Sequence, residues 1–316
     1  MIYPSQTNTP VMKFGLTGKD SMISLKLDYL QYGGSVKSRA ARAVMSKAKS
    51  CEKCSMSKEF VTWSYGNLAV ALAMAAKKEG YTCHMVVPDW LCHDQLAVLR
   101  ALEMPVVRVS TDSRSPKACL QRVASEVAFE RKVVFINQSN TEEAIRAYHS
   151  LGEEILAESN EITSLYGTVG IGGSLCGTAE RIVDIRRSLN VVATKHEDDT
   201  CFELSNHTNW QLVQSVSTYS TRNSYTTALF LHSLFGLRVA FCVAGSFYCA
   251  VYNTLNKNLQ NEHCVVIAGS SGDLTMEYES KHFELDMETW NMLEKNIANR
   301  CQFSNSLPKP ASCVGK

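Results

Sequence analysis

An α/β fold built on a mainly parallel sheet is what this sequence predicts, and three observations predict it. Helix-like and strand-like segments alternate along the chain. The strand candidates are short, unbroken apolar runs of the kind buried on both faces. A glycine-dense turn joins one such strand directly to a helix. In chain order, Gly33-Gly34-Ser35-Val36-Lys37 opens an Ala-rich helix, and Ala69 to Glu79 reads as the next. Met85-Val86-Val87 is too short and too apolar for a surface helix, so it is a strand. Asp94 to Leu102 is helical, Val106 to Val109 a strand, Ala118 to Phe129 a helix and Val133 to Ile136 a strand. Thr141 to Glu158 reads as one helix. The strand Thr163 to Val169 leads into the glycines 170–177 and a helix from about Thr178 to Leu189. Ser246 to Leu259 and Val265 to Ala268 supply a last helix and strand, with Met and aromatic residues from Phe230 to Tyr252 expected as core and dimer surface. The polar stretch Lys195 to Asn209 is expected to be a mobile loop at a site entrance, and the tail after Phe303 to be loose.

Composition narrows the function classes. With 316 residues, 45% hydrophobic and 20% charged, the chain can bury one large core or two moderate ones. Its 32 basic and 31 acidic residues leave a net charge of +1 with no block of one sign. That is no footprint for nucleic acid or an anionic membrane. No apolar run approaches the roughly 20 residues of a membrane span, and the polar segment from Met1 to Pro10 lacks a signal pattern. The twelve cysteines are scattered, mostly within apolar runs (Cys83, Cys119, Cys176, Cys242, Cys249, Cys264). This usage fits buried free thiols in a reducing, cytoplasmic setting. Cys51-Glu52-Lys53-Cys54 is a lone C-x-x-C in a polar stretch, expected to be a loop. It has no second pair or histidine pair at zinc spacing, so neither a metal site nor redox work is expected of it.

Two segments carry chemistry. Glycines 170–177 follow a strand and precede a helix; bare backbone there can turn its N–H groups inward, and the helix start favours an anion. Ser174 can add a hydroxyl. A ligand-free strand-to-helix turn reads the same loop equally well. A dinucleotide fingerprint fits less, because the spacing is not G-x-G-x-x-G and the first acidic residue past the next strand, Glu197, comes late. A hydrolase elbow fails at Cys176. The second segment is Lys37 itself. The helix dipole disfavours a lysine at a helix start, so its presence there asks for a reason, and an amine of lowered pKa ready for Schiff-base chemistry is one.

The segment from Lys26 to Arg39, with Gly33-Gly34-Ser35-Val36-Lys37 at its centre, resembles the cofactor-lysine segment of the cysteine synthase and cystathionine β-synthase family, pyridoxal phosphate (PLP) enzymes of fold type II. Asn8-Thr9-Pro10-Val11 resembles that family's first strand. Ser64-Tyr65-Gly66-Asn67-Leu68-Ala69 is similar to its substrate loop, Gly170 to Gly177 to its phosphate loop, and Ser270-Ser271-Gly272 to its D-S-G motif.

The resemblance implies two open, twisted, mainly parallel sheets flanked by helices, as in the tryptophan synthase β-like fold. A smaller mobile domain would span residues 38–145 and a larger one residues 1–37 plus 146–303, with 304–316 as a tail. It implies Lys37 as the Schiff-base lysine and acid/base. Asn67 would bind the cofactor's 3′ oxygen, Gly170, Gly172, Gly173, Ser174 and Gly177 its phosphate, and Ser271 its pyridine nitrogen. Ser64, Asn67 and Gln138 would hold the substrate carboxylate, with Tyr65, Gly66 and Leu68 in the same loop. The implied activity is β-replacement on O-phosphoserine or O-acetylserine through an aminoacrylate, by a homodimer acting on small amino-acid substrates. Tyr65, Leu68, Ala69, Ser38 and Ile171 depart from the family pattern. Leu68 and the stretch from Ile136 to Gln138 resemble the branch that makes a 2,3-diaminopropionate precursor from O-phosphoserine and glutamate. The alternatives are a sulfide-using cysteine synthase and a non-catalytic descendant serving as a scaffold.

Overall fold

Two sheets organise the chain, each assembled where apolar runs meet edge to edge. In the computed structural model, residues 8–112, 116–137, 142–186, 188–199, 204–257, 260–272 and 285–304 are described. The larger sheet has the order β11-β1-β2-β10-β7-β8-β9. Its strands are β1 (Val11–Leu16), β2 (Met22–Lys26), β7 (Ser164–Thr168), β8 (Asn190–His196), β9 (Val213–Tyr219), β10 (His263–Ile267) and β11 (Ile297–Ser304). From β2 through β10, β7 and β8 to β9 every pairing is parallel, while β1 pairs antiparallel with both β2 and β11. The smaller sheet, β5-β4-β3-β6, is wholly parallel: β3 (Glu59–Trp63), β4 (Thr82–Pro88), β5 (Val106–Val109) and β6 (Val134–Phe135).

Helices cover both faces, as parallel sheets require. They are α1 (Lys37–Ser50), α2 (Glu52–Ser57), α3 (Asn67–Lys78), α4 (His93–Ala101), α5 (Lys117–Arg131), α6 (Glu142–Arg146), α7 (His149–Glu158), α8 (Gly173–Arg186), α9 (Thr221–Phe235), α10 (Phe241–Asn256) and α11 (Met287–Asn296). Alternate residues of β3 face opposite ways. Phe60 joins a core shared with α1, α3, α7 and α8, whereas Val61 and Trp63 pack with Leu120 and Ala124 of α5. Phe14, Phe230 and Phe247 anchor a further core beneath α9 and α10.

Several expected boundaries move. The expected helix Thr141–Glu158 is two, α6 and α7, separated by Ala147 and Tyr148. The helix after the glycine loop begins at Gly173, five residues before Thr178, because its first turn is built from the loop's own glycine and serine. The C-x-x-C is not in a loop: Cys51 joins α1 to α2, and Cys54 lies within α2, fully buried. Lys195 and His196 of the expected entrance loop end β8, and Phe303 and Ser304 belong to β11. Among the described residues, no helix is long and apolar enough to cross a membrane.

A cavity at the carboxyl ends of the strands

Parallel strands deliver their following loops to one edge, the usual place for a ligand crevice in open α/β sheets. Here β3 delivers Ser64 to Leu68, β7 delivers the glycine loop, and β10 delivers Gly269 and Ser270. Lys37 enters among them from a separate turn. Gly33 has φ +106°, and a Cβ there would lie 2.7 Å from Ser38 Oγ and 3.1 Å from Ala71 Cα, so only glycine fits. The turn is then pinned to the end of β10: Val36 N–H donates to Gly269 O at 2.9 Å, and Ser35 bridges Ser270. Lys37 is the first residue of α1. The surrounding protein desolvates its amine and pushes the pKa below the ordinary 10.5, partly opposed by Cys242. Burial likewise pushes the Cys242 thiol up.

The loop after β3 is held from both sides. Ser64 N–H donates to Val86 O at 3.0 Å, and Ser64 Oγ accepts from Gly66 N–H at 3.3 Å. Asn67 starts α3; its Nδ2 donates to Ser270 Oγ at 2.8 Å while its Oδ1 accepts from Gln95 Nε2 at 2.8 Å. Leu68 is buried, and Tyr65 stacks on Trp63 with ring centroids 5.9 Å apart.

In the glycine loop, Gly172 has φ +81°, and a Cβ would meet Thr208 at 2.6 Å. Thr208 Oγ1 and Ser205 N–H both donate to Ile171 O, at 2.9 and 3.0 Å, so part of the expected entrance loop buttresses the turn. Gly170, by contrast, has open space where a Cβ would stand.

Two adjoining cavities share Lys37, Asn67 and Gly170. One, about 180 Å³, is bounded by Thr168, Ser174, Cys242, Val243 and Ser270. The other, about 110 Å³, is lined by Ser64, Tyr65, Gly66 and Leu68 together with Ile145, Tyr148 and Ile171.

The expected residues Lys37, Ser64, Tyr65, Gly66, Asn67, Leu68, Gly170, Gly173 and Ser174 therefore converge on one place. Gly172 shapes the turn from behind. Gly177 lies one turn into α8, where a Cβ would fall 2.4 Å from Ile145 O; it serves the approach of α6 and does not line the cavity. Ser271 bridges Val239, while its neighbour Ser270 lines the cavity. Gln138 lies outside the described residues. Sequence reading placed Ser270 within an expected motif but gave the role to Ser271, and it missed Gln95, Thr168 and Cys242 as cavity residues.

The residues present fit a phosphorylated pyridine aldehyde. The first-turn N–H groups of α8 have no intrahelical acceptor, Ser174 adds a hydroxyl, and Gly170 leaves the approach bare. The desolvated Lys37 amine lines the same cavity as Ser174. Residues 2–228 match the family described as pyridoxal-phosphate dependent enzyme. The chain belongs to that family. Its cofactor is pyridoxal phosphate. It is 27% identical over 208 residues to a putative cysteine synthase of Sinorhizobium fredii, covering 64% of this chain and 62% of that protein. It is 30% identical over 189 residues to a cysteine synthase of Helicobacter pylori, covering 56% and 61%. The match thus spans about three fifths of these relatives. A cysteine synthase structure from Entamoeba histolytica superposes with TM-score 0.79 at 14% identity, covering 93% of this chain and 95% of that one. The fold is that of the type II enzymes of this family.

Proposed function

We propose that the chain catalyses β-replacement on an O-activated L-serine, O-phosphoserine or O-acetylserine, with an amine as the incoming nucleophile. One observation carries the reading: a desolvated lysine, the start of α8 and the loop from Ser64 to Leu68 line two adjoining cavities that share Lys37, Asn67 and Gly170. When bound, the cofactor supplies an electron sink for the substrate's α-carbon. In this reading α8's first-turn amides and Ser174 hold its phosphate, and Asn67 and Ser270 face its ring. Ser64 and the Gly66–Asn67 backbone bind the substrate carboxylate, aided by Gln138. Lys37 Nζ takes the α-proton; its lowered pKa leaves more neutral amine near neutral pH to do so.

The amine preference rests on the apolar lining of the smaller cavity. Leu68 gives the carboxylate loop an apolar side chain, and Ile145 and Ile171 line the same cavity. The sulfide reading is the alternative, favoured by the names of the curated relatives. We also infer that residues 38–145 close as a smaller domain on residues 1–37 plus 146–303. The enzyme would work in the cytoplasm as a homodimer, a reading supported by the exposed Leu234 and Tyr252 in the segment expected to form the dimer surface.

The test follows consumption of O-phosphoserine and O-acetylserine by the PLP-loaded enzyme, with sulfide, glutamate and other amines at equal concentration. Faster turnover of O-phosphoserine with an amino-acid amine is expected. Faster turnover with sulfide, with cysteine as the main product, assigns the chain to cysteine synthesis. No turnover of either serine ester overturns the reading.

A further inference from the structure

At the far end of α1 from Lys37 stands a pair of thiols that the β-replacement chemistry does not use. Cys51 closes α1, its N–H donating to Lys47 O at 3.1 Å, and its carbonyl accepts from Ser55 N–H at 2.8 Å as α2 begins. Cys54 sits one turn on, wholly buried in the core shared by both sheets, while Cys51 keeps access to solvent. The two thiols perturb each other's titration, lowering Cys51 and raising Cys54. Residues one turn apart have Cα atoms within the roughly 4.4–6.8 Å that a disulfide spans. No other two cysteines in the sequence are so close; the next nearest, Cys242 and Cys249, are seven apart.

We propose that Cys51 and Cys54 form a redox-active dithiol that exchanges with low-molecular-weight disulfides such as oxidised glutathione. The Cys51 thiolate attacks one glutathione sulfur; an S–S bond forms at Cys51 as the glutathione S–S bond breaks, releasing a thiolate. That thiolate takes the Cys54 proton. Cys54 sulfur then attacks Cys51 Sγ and expels the second glutathione. Two cysteine thiols are oxidised to one disulfide and one glutathione disulfide is reduced to two thiols.

The two cysteines have unequal parts. Backbone N–H groups and the Lys53 charge hold Cys51 below its ordinary 9.0, which suits the accessible attacking thiol. Burial pushes Cys54 up to about 12, which suits a partner that reacts only when the mixed disulfide is in contact. Among the described residues, Cys83, Cys176, Cys249 and Cys264 are buried, with thiols pushed upward by that burial.

The test uses the PLP-loaded enzyme, oxidised glutathione, intact mass and peptide mapping, and needs no turnover. Wild type should lose two hydrogens at the peptide holding Cys51 and Cys54. Cys54→Ser should accumulate one glutathione on Cys51, and Cys51→Ser should take none at that peptide. Alkylation of Cys51 at neutral pH should outpace that of the exposed Cys92 several-fold. If Cys92 carries glutathione while the Cys51 peptide stays reduced, or if Cys54→Ser traps no adduct, the proposal is wrong.

Discussion

Arg39 follows Lys37 by two residues and is almost wholly buried, so what neutralises it fixes the helix turn that aims the lysine. Its Nε and Nη2 donate to Asp28 at 3.0 and 2.7 Å, Nη2 also reaches Glu154 at 2.8 Å, and Nη1 donates to Ser150 Oγ at 2.7 Å. Lys26 Nζ meets the same Glu154 at 2.8 Å and Thr9 O at 2.5 Å. Two cations and two anions thus balance. Asp28→Ala leaves two buried cations on one carboxylate and also strips an acceptor from Thr9 Oγ1. Removing one partner of a buried pair costs about 3–5 kcal/mol. The matched control is Glu103→Ala, which breaks a bridge to Lys77 of 2.6 Å whose side chains are 49% and 79% exposed. Screening by water makes that loss much the smaller of the two. Equilibrium urea unfolding of both variants against wild type measures the difference. A loss for Asp28→Ala no larger than for Glu103→Ala would refute the reasoning, since burial would then have added nothing.

Other outcomes follow from the site. Because burial lowers the Lys37 pKa, the unfolded chain binds more protons between the folded pKa and 10.5, so this residue makes stability rise with pH across that window. Cofactor-free Lys37→Met should therefore be the more stable protein at neutral pH, with the gap narrowing toward pH 10.5; parallel unfolding curves would count against the desolvated amine. Gly177→Ala should lose about 1–3 kcal/mol through the clash with Ile145 O, whereas Gly170→Ala should unfold like wild type yet retain PLP more weakly, as equilibrium dialysis would show. Ser270→Ala should alter the visible spectrum of bound PLP more than Ser271→Ala; the reverse order would return Ser271 to the ring. Borohydride reduction of the loaded enzyme should label the peptide holding Lys37, and a label elsewhere would remove that lysine from its role.

The legible part of the site was the part written in backbone. Glycine declares itself in sequence because few other residues tolerate φ +106° at Gly33 or +81° at Gly172, and a lysine set against a helix dipole stands out in the same way. Side chains that reach the cavity from another element do not. Gln95 lies on α4 and Cys242 on α10, and nothing local distinguishes them from surface or core residues. The sheets show the same division. The apolar runs of β4 and β10 were plain, but β9 alternates half-buried and exposed positions at the sheet edge and gave no such run. The split between α6 and α7 was invisible because both halves carry helical patterning; Tyr148 ends up against Gly173 and Gly177 of α8, a contact decided by tertiary packing.

The order of strands also has a bearing on how the chain acquires its shape during synthesis. The smaller sheet draws its strands from residues 59–135 in one continuous stretch, so its parallel crossovers can close as soon as that stretch exists. The larger sheet cannot do the same. β10, residues 263–267, is its middle strand, pairing with β2 on one side and β7 on the other, and β11 arrives later still to cover β1. Until then β2 and β7 present unpaired edges separated by more than a hundred residues of chain. Non-local pairing of this kind is slow, and open edges are aggregation-prone. A ribosome-bound chain of roughly 250 residues would hold a formed Lys37 helix and small sheet beside an unclosed partner, and the floor beneath the cofactor would be laid last.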